Sequence, residues 1–333
     1  MKTKTTTILL FVVLLCACSD ESSEFRKIEY SSEAVTAEMF LSGLDNTNAF
    51  LDLYITDSFA VFIDFYNDTV VQLYNKDKPE LSHYVTKGQG PDEVIMPMFS
   101  RAVVKDAAAN QVGLYDVDSN AYGTIEPDPE NKTVNKRMER VPAKMPFTLE
   151  INIFEDKIIG IDQDRPNSLI YKYDKTTDAL TSVPFFPTPK DTYSEDQLPF
   201  LYHATVCANE EKNRIFVAMM NLSVIQIYDF NLERKDCLLI GDKLRWPVAD
   251  PNIMDFPNNP KYFIHGCGTK QHVYLLYKGA DSNSEIFVFD WDGTLREVLK
   301  SDLDLMRIGV DKDDSHIWGL YDNEEGGTDV VKF

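Results

Sequence analysis

The sequence predicts an all-β protein: a six-bladed β-propeller whose last blade is closed by an N-terminal strand. Three observations carry this. A self-similar β-rich unit recurs six times, amphipathic helical periods of twelve residues or more are scarce, and aromatic content is 12% with Tyr and Phe plentiful. That composition suits short strands better than long helices.

The unit is a β-rich run, a short turn, and a second run ending in an aromatic residue followed by Asp or Asn. Its clearest copies are "SFAVFIDFYNDTVVQLYNKDKPEL" from Ser58 and "DKIIGIDQDRPNSLIYKYDKTTDAL" from Asp156. "NRIFVAMMNLSVIQIYDFNLERK" from Asn213 and "HVYLLYKGADSNSEIFVFDWDGTL" from His272 continue the series. A more degenerate copy starts at Asn110, and the last, "HIWGLYDNEEGGTDVVKF" from His316, runs to the end of the chain. Copies about 45 to 60 residues apart match blades of four antiparallel strands around a channel. Alternation in "LIYKYD", "VIQIYD" and "IFVFD" has the period of two that marks strands. The Asp-rich stretches after them, "YDKTTD" and "FDWDGT", have tight-turn chemistry.

The final copy stops where the others still have an outer strand to come, which would leave an unpaired edge. "FRKIEY" (residues 25–30) is expected to supply that strand.

The chain opens "MKTKTTTILLFVVLLCACSD", with Lys2 and Lys4 ahead of an apolar core from Ile8 to Leu15. This is a secretory signal in form and too short for a membrane span. Leu15-Cys16-Ala17-Cys18, followed by a polar acidic stretch, resembles the lipobox of bacterial lipoproteins. That resemblance implies acylation of Cys18 and loss of Cys16 with the signal; the alternative is an ordinary signal peptide with a chance cysteine pair. The expected organisation is a signal peptide at 1–17, an acidic spacer at 18–24 after the lipidated cysteine, and a single propeller at 25–333. Attachment to the membrane would be through the lipid, on a body expected to be monomeric.

Acidic residues outnumber basic ones 54 to 33, giving a formal charge of −21. Such a body repels phosphate backbones, which argues against nucleic-acid binding. Cys207, Cys237 and Cys267 are spaced thirty residues apart. No CxxC or Cys/His cluster accompanies them, so no zinc site is expected, and buried single thiols with at most one disulfide are.

The stretch "KGQGPDEV" (87–94) raises the question of a phosphate loop. The spacing is wrong for a P-loop or a dinucleotide loop, Pro91 follows the second glycine, and Asp92 and Glu93 would repel phosphate. A structural turn is expected instead, with glycines that permit positive φ, between the outer strand of the first blade and an inner strand of the second around "FSRAVVKD". "KGQGPDEV" is similar to the Gly-x-Gly-Pro-x-Glu segment of the TolB-like six-bladed propeller lipoproteins of Gram-negative bacteria, and "FDWDGTL" and "IWGLYD" are similar to blade signatures of that family. The resemblance covers essentially the whole mature chain. It implies a fold and a cell-envelope location, in the outer membrane at its periplasmic face or the cell surface, with no established activity or catalytic residues.

Local catalytic signatures are missing. "DVDSN" (Asp116, Asp118, Asn120) begins like a calcium loop but has Ala121 where glycine is needed. The five histidines show no metal-ligand spacing, and no Gly-x-Ser-x-Gly elbow is present. No metal or cofactor is expected. His203, at a strand start in "LYHATV", is a structural histidine or a channel-lining group. Two long loops, 184–200 and 244–263, carry Phe185 and Tyr193, and Trp246, Phe256 and Tyr262. Aromatics on such loops suit sugar stacking or anchoring of a partner; the alternative is that the loops fold back and cap the blades. The expected function is an envelope binding or scaffold module for another envelope protein, a carbohydrate or a small extracellular ligand. The alternative is a lyase or lactonase-like hydrolase with its site at the channel mouth. Convergent His and carboxylate groups would mark an enzyme, and an exposed aromatic loop surface a binding module.

Overall fold

Each copy of the repeat folds as the second and third strands of one sheet. The computed structural model describes residues 24–42, 49–128, 130–131, 133–165, 167–189, 191–250, 253, 255–279, 284–324 and 326–333. Segment 1–17, Cys18 and most of the spacer lie outside the described residues. In chain order, β1 (Arg26–Ile28), β2 (Glu33–Val35) and β3 (Glu38–Leu41) precede the first sheet, which is β4 (Asp52–Ile55), β5 (Phe59–Ile63), β6 (Val71–Asn75) and β7 (Leu81–Val85). The second sheet starts with β8 (Pro97–Phe99); the chain leaves it for β9 (Ala102–Val103) and returns with β10 (Val112–Asp116), β11 (Ala121–Asp128) and β12 (Thr133–Arg140). The third is β13 (Ile151–Ile153), β14 (Lys157–Ile161), β15 (Ile170–Asp174) and β16 (Ala179–Val183). The fourth holds β17 (Ala204–Asn209), β18 (Arg214–Met219), β19 (Val224–Tyr228) and β20 (Arg234–Ile240). The fifth holds β21 (Lys261–Gly268), β22 (His272–Gly279), β23 (Glu285–Asp290) and β24 (Leu295–Ser301). The last is β25 (Leu305–Val310), β26 (Ile317–Asp322) and β27 (Thr328–Lys332).

These strands make six sheets paired in chain order, in a β-propeller arrangement with almost no helix. Third strands end in the turn chemistry read from the repeat. Asp174 accepts the amides of Thr176 and Thr177 at 3.0 and 2.8 Å, and Asp229 accepts those of Asn231 and Glu233 at 2.9 and 3.0 Å. The side chain thereby replaces a backbone acceptor and tightens the hairpin.

A core lies between each sheet and the next. Leu73 of the first shares a core with Leu114 of the second, Tyr115 of the second with Tyr171 of the third, and Ile159 of the third with Val217 of the fourth. Phe216 of the fourth meets Phe289 of the fifth, and Ile286 of the fifth shares a core with Ile308 of the sixth. Trp318 and Leu320 of the sixth share a core with Leu53 and Phe62 of the first. Both faces of a sheet are therefore covered, and the period of two does not mark a wet face. Gln226, the polar member of "VIQIYD", is fully buried and donates to Phe186 O at 2.6 Å.

The N-terminal segment corrects one expectation. β1, inside "FRKIEY", pairs in parallel with β20 of the fourth sheet, and β2 pairs in parallel with β24 of the fifth. It is β3 that lies antiparallel to β27 as the outer strand of the last sheet. The reason is side-chain fit. Phe25 and Ile28 are buried against cores bordering the fourth sheet, and Arg26 reaches Asp236 at 2.6 Å. Phe40 of β3 meets Trp318 edge-on at 4.8 Å.

The 87–94 stretch does lie between β7 and β8, but its glycines serve another purpose. Neither Gly88 nor Gly90 is at positive φ. A Cβ at Gly88 would fall 2.0 Å from a carboxylate oxygen of Glu93, and the Gly90 amide donates to that oxygen at 2.7 Å. The space a phosphate would need is filled by the loop's own carboxylate. The second sheet's inner strand is also shorter than "FSRAVVKD" led us to expect. After Phe99 the chain crosses to β9, which adds in parallel to the inner edge of β17. Backbone thus occupies part of the propeller axis.

Candidate functional site

The inner strands of the six sheets, and the residues flanking them, bring polar side chains together. They are Asp52 on β4, Arg101 just after β8, Glu150 just before β13, His203 just before β17, His265 on β21 and Arg307 on β25. All six line one axial cavity of about 600 Å3, whose apolar wall includes Ile63, Phe99, Met220, Ile264 and Met306. A propeller places the start of each inner strand near its axis, so residues distant in sequence meet there.

At the cavity floor is a buried ion pair. Arg101 donates to Asp52, to Leu53 O at 2.9 Å, and approaches His265 Nε2 at 2.7 Å. Burial alone would raise the Asp52 pKa, but Arg101, His265 and Arg307 outweigh it and hold the carboxylate well below its usual range. Burial would lower Arg101, yet Asp52 keeps it firmly charged. Burial and the neighbouring Arg101 charge push His265 down to about 3, against the pull of Asp52. The Ile308 amide also points at His265 Nδ1, at 3.2 Å. A neutral ring has one acceptor nitrogen and can accept from Ile308 or from Arg101, not from both. Beneath this cluster, Arg101 and Ala102 border a much smaller space of about 40 Å3 toward Cys267 and Lys312. The Arg101 cluster and β9 close the cavity on that side.

Above the floor the chemistry is less paired. Burial pushes Glu150 up to about 7, with Arg101 opposing and Asp52 reinforcing the rise. His203 is lowered by burial and by the charges of Lys261 and Arg307. Arg307 donates Nη1 to Met306 O at 2.8 Å, stands 3.9 Å from Asp52, and keeps 36% of its side chain exposed.

A second cavity of about 530 Å3 adjoins the first, and Leu149 and His203 line both. Its walls include Phe147, Phe185, Leu198 and Phe200. Gln163 lines it too, with a buried Oε1 that has no hydrogen-bond partner.

The residues expected to form a binding surface are distributed differently. His203 stands in the wall shared by the two cavities. Phe185, Phe256 and Tyr262 are buried, and Tyr193 and Trp246 are partly buried against the core that holds Phe185 and Phe256. Phe185 stacks on Tyr202 at 4.4 Å, while Tyr193 contacts Trp246 and Phe256 at 5.9 and 5.8 Å. Tyr193 and Gln197 donate to backbone carbonyls of Pro247 and Asp250, at 2.6 and 2.8 Å. The two long loops pack on each other, so these aromatics do not form an exposed loop surface.

Sequence reasoning passed over Asp52, Arg101, Glu150, His265 and Arg307. The available signal was a single charged residue or histidine at the start of an apolar run, as in "LDL", "LEI", "IHG" and "MRI", in phase with the repeat.

The other candidates have structural partners. Asp116 of "DVDSN" accepts the Ile95 and Met96 amides at 3.0 and 2.9 Å. Among the described residues, no group of three His, Cys, Asp or Glu side chains is placed to hold a metal ion. The three cysteines are free thiols, and burial pushes Cys237 and Cys267 up to about 12. No helix among the described residues is long and apolar enough to cross a membrane.

No family model matches the sequence, and no curated protein matches it. Among solved structures, a member of the DUF4221 family from Bacteroides vulgatus superposes with a TM-score of 0.54 at 11% identity, covering 91% of this chain and 97% of that one. A putative exported protein from Bacteroides fragilis gives 0.53 at 10% identity, covering 89% and 93%. BamB from Moraxella catarrhalis gives 0.36 at 9% identity, covering 84% and 71%. The first two likenesses, spanning nearly the full length of both partners, show that this chain shares its fold with those Bacteroides proteins.

Proposed function

We propose that the protein is an exported, lipid-anchored six-bladed β-propeller of the cell envelope that binds a small extracellular ligand in its axial cavity. The observation that carries this is the convergence of one polar side chain from each inner strand or its flank on a cavity of about 600 Å3, the size of a small-molecule site. Six sheets, the core between the last sheet and the first, and the pairing of β3 with β27 support the blade count and the closure. The export reading draws on the leader-like segment ending at Cys18 and on the description of one structural neighbour as exported. The TolB-like kinship rests on "KGQGPDEV" and the two blade signatures.

Two experiments test this. Met220→Trp would fill the cavity from its wall. A panel of small extracellular sugars, acids and amines, followed by thermal shift, is expected to yield compounds that stabilise the wild type and not this variant. A panel without effect, or with equal effect on both proteins, would overturn the cavity reading. Cys18→Ala is expected to release the protein to the soluble fraction; retention in the membrane would overturn the anchor.

The convergence of Glu150, His203 and His265 also favours a second reading, a lyase or hydrolase in which Glu150, with its pKa about 7, moves a proton. Turnover abolished by Glu150→Gln, with ligand affinity retained, would identify it.

A further inference from the structure

Twenty phenylalanines occur in the chain. Among the described residues only Phe147 and Phe200 are exposed, at 43% and 39%. Both line the second cavity, which has Leu198 and Pro199 in its wall. Two exposed rings at the lip of this chamber, whose wall also carries Asp164, Arg165, Glu195 and Asp196, leave aromatic surface in water that a flat or apolar group would cover. The chamber adjoins the axial cavity, with Leu149 and His203 lining both.

At the axial end, the cations differ in availability. Arg101 is tied to Asp52 and Leu53 O and lies 2.7 Å from His265. Lys278, at the rim, is paired with Asp304. Arg307 has one carbonyl acceptor and a distant Asp52, which leaves guanidinium N–H groups facing the cavity. On a chain of formal charge −21, this is a local cationic point in a sheltered site.

Resting on the cavity reading above, we infer that the ligand is a small amphipathic carboxylate, with its anionic end on Arg307 and an aromatic or apolar body in the chamber between Phe147 and Phe200. A guanidinium fork matches a carboxylate with two parallel hydrogen bonds. Glu150 supports the assignment. The charged and titratable groups around it are Asp52, Arg101, His203, His265 and Arg307, with Lys278 and Asp304 at the rim. Protonated, Glu150 donates to a ligand carboxylate; ionised, it repels one.

The test is calorimetric titration with 3-phenylpropanoate, 3-phenylpropanol and 3-phenylpropylammonium. The acid is expected to bind best, and its affinity to fall as pH rises through about 7, the value to which Glu150 is raised. Arg307→Gln should weaken the acid at least tenfold and leave the alcohol unchanged. Phe200→Ser should weaken acid and alcohol alike, with melting temperature as the control for folding. Ammonium binding as tight as the acid, an Arg307→Gln variant with full acid affinity, or no acid binding at millimolar concentration would overturn the inference. Alcohol or ammonium binding at least as tight as the acid's, and abolished by Met220→Trp, would overturn the ligand class while sustaining the cavity; binding of the acid unaffected by Met220→Trp would overturn both.

Discussion

Met39, near the start of the described chain, pairs with Val331, two residues from its end. The adjacent Phe40 meets Trp318 edge-on at 4.8 Å, so the two termini of the chain complete one sheet. Phe40→Ala removes a partly buried ring from that contact and should cost roughly 2 kcal/mol, a fall of several degrees in Tm. Deleting residues 38–41 should cost more than deleting 25–30, because only the first exposes the edge of β27. Thermal unfolding of the two deletions side by side checks the order.

The floor of the axial cavity should behave as a buried ion pair. The side chains of Arg101 and Asp52 are 5% and 17% exposed. Asp52→Ala leaves the guanidinium buried without its counter-charge and should destabilise by about 3–5 kcal/mol, whereas Asp52→Leu combined with Arg101→Met should cost far less. Urea denaturation across the double-mutant cycle measures the coupling.

Two groups in the cavity set opposite pH slopes. Glu150 is raised to about 7, so between its unfolded pKa and 7 the folded state holds the extra proton and stability falls as pH rises. His265 is lowered to about 3, so between 3 and its unfolded pKa the folded state holds fewer protons and stability rises with pH. Glu150→Gln removes the first slope alone. Its stability relative to wild type is expected to increase from pH 5 to 7.5, read as the difference in urea midpoint; a constant difference would remove Glu150 from the account.

The loop at 87–94 is predicted to hold its own carboxylate rather than a phosphate. Gly88→Ala forces Glu93 away from the Gly90 amide, 2.7 Å from it in the native loop, and should cost about 1 kcal/mol. Glu93→Ala should relieve the clash, so the double variant should be no less stable than Glu93→Ala alone. Inorganic phosphate should leave the wild-type melting temperature unchanged.

The loop also shows how far its residues could be read. Its position between two sheets followed from its place between two copies of the repeat, which is a local property of the sequence. The reason for its glycines did not. A close approach by a side chain three or five residues away depends on how the loop closes, and composition points equally to positive φ. The packing of the aromatic loops was hidden for a related reason. Tyr193 and Phe256 look alike in sequence whether they face solvent or each other, and only the packing of 184–200 on 244–263 decides it.

The sequence by itself determined the sheets. Strand period, the aromatic-Asp endings and the need for one more strand are all written within each repeat, since hairpins are built from neighbouring residues and turn chemistry is local. The tertiary structure decided the rest. It chose Glu38–Leu41 over "FRKIEY" as the final strand, because the fit of Phe40 against Trp318 is a contact between opposite ends of the chain. It also made a site of Asp52, Arg101, Glu150, His203, His265 and Arg307, each of which stands alone in its own repeat. Desolvation and mutual charge, which give these groups their chemistry, exist only where the inner strands meet on the axis.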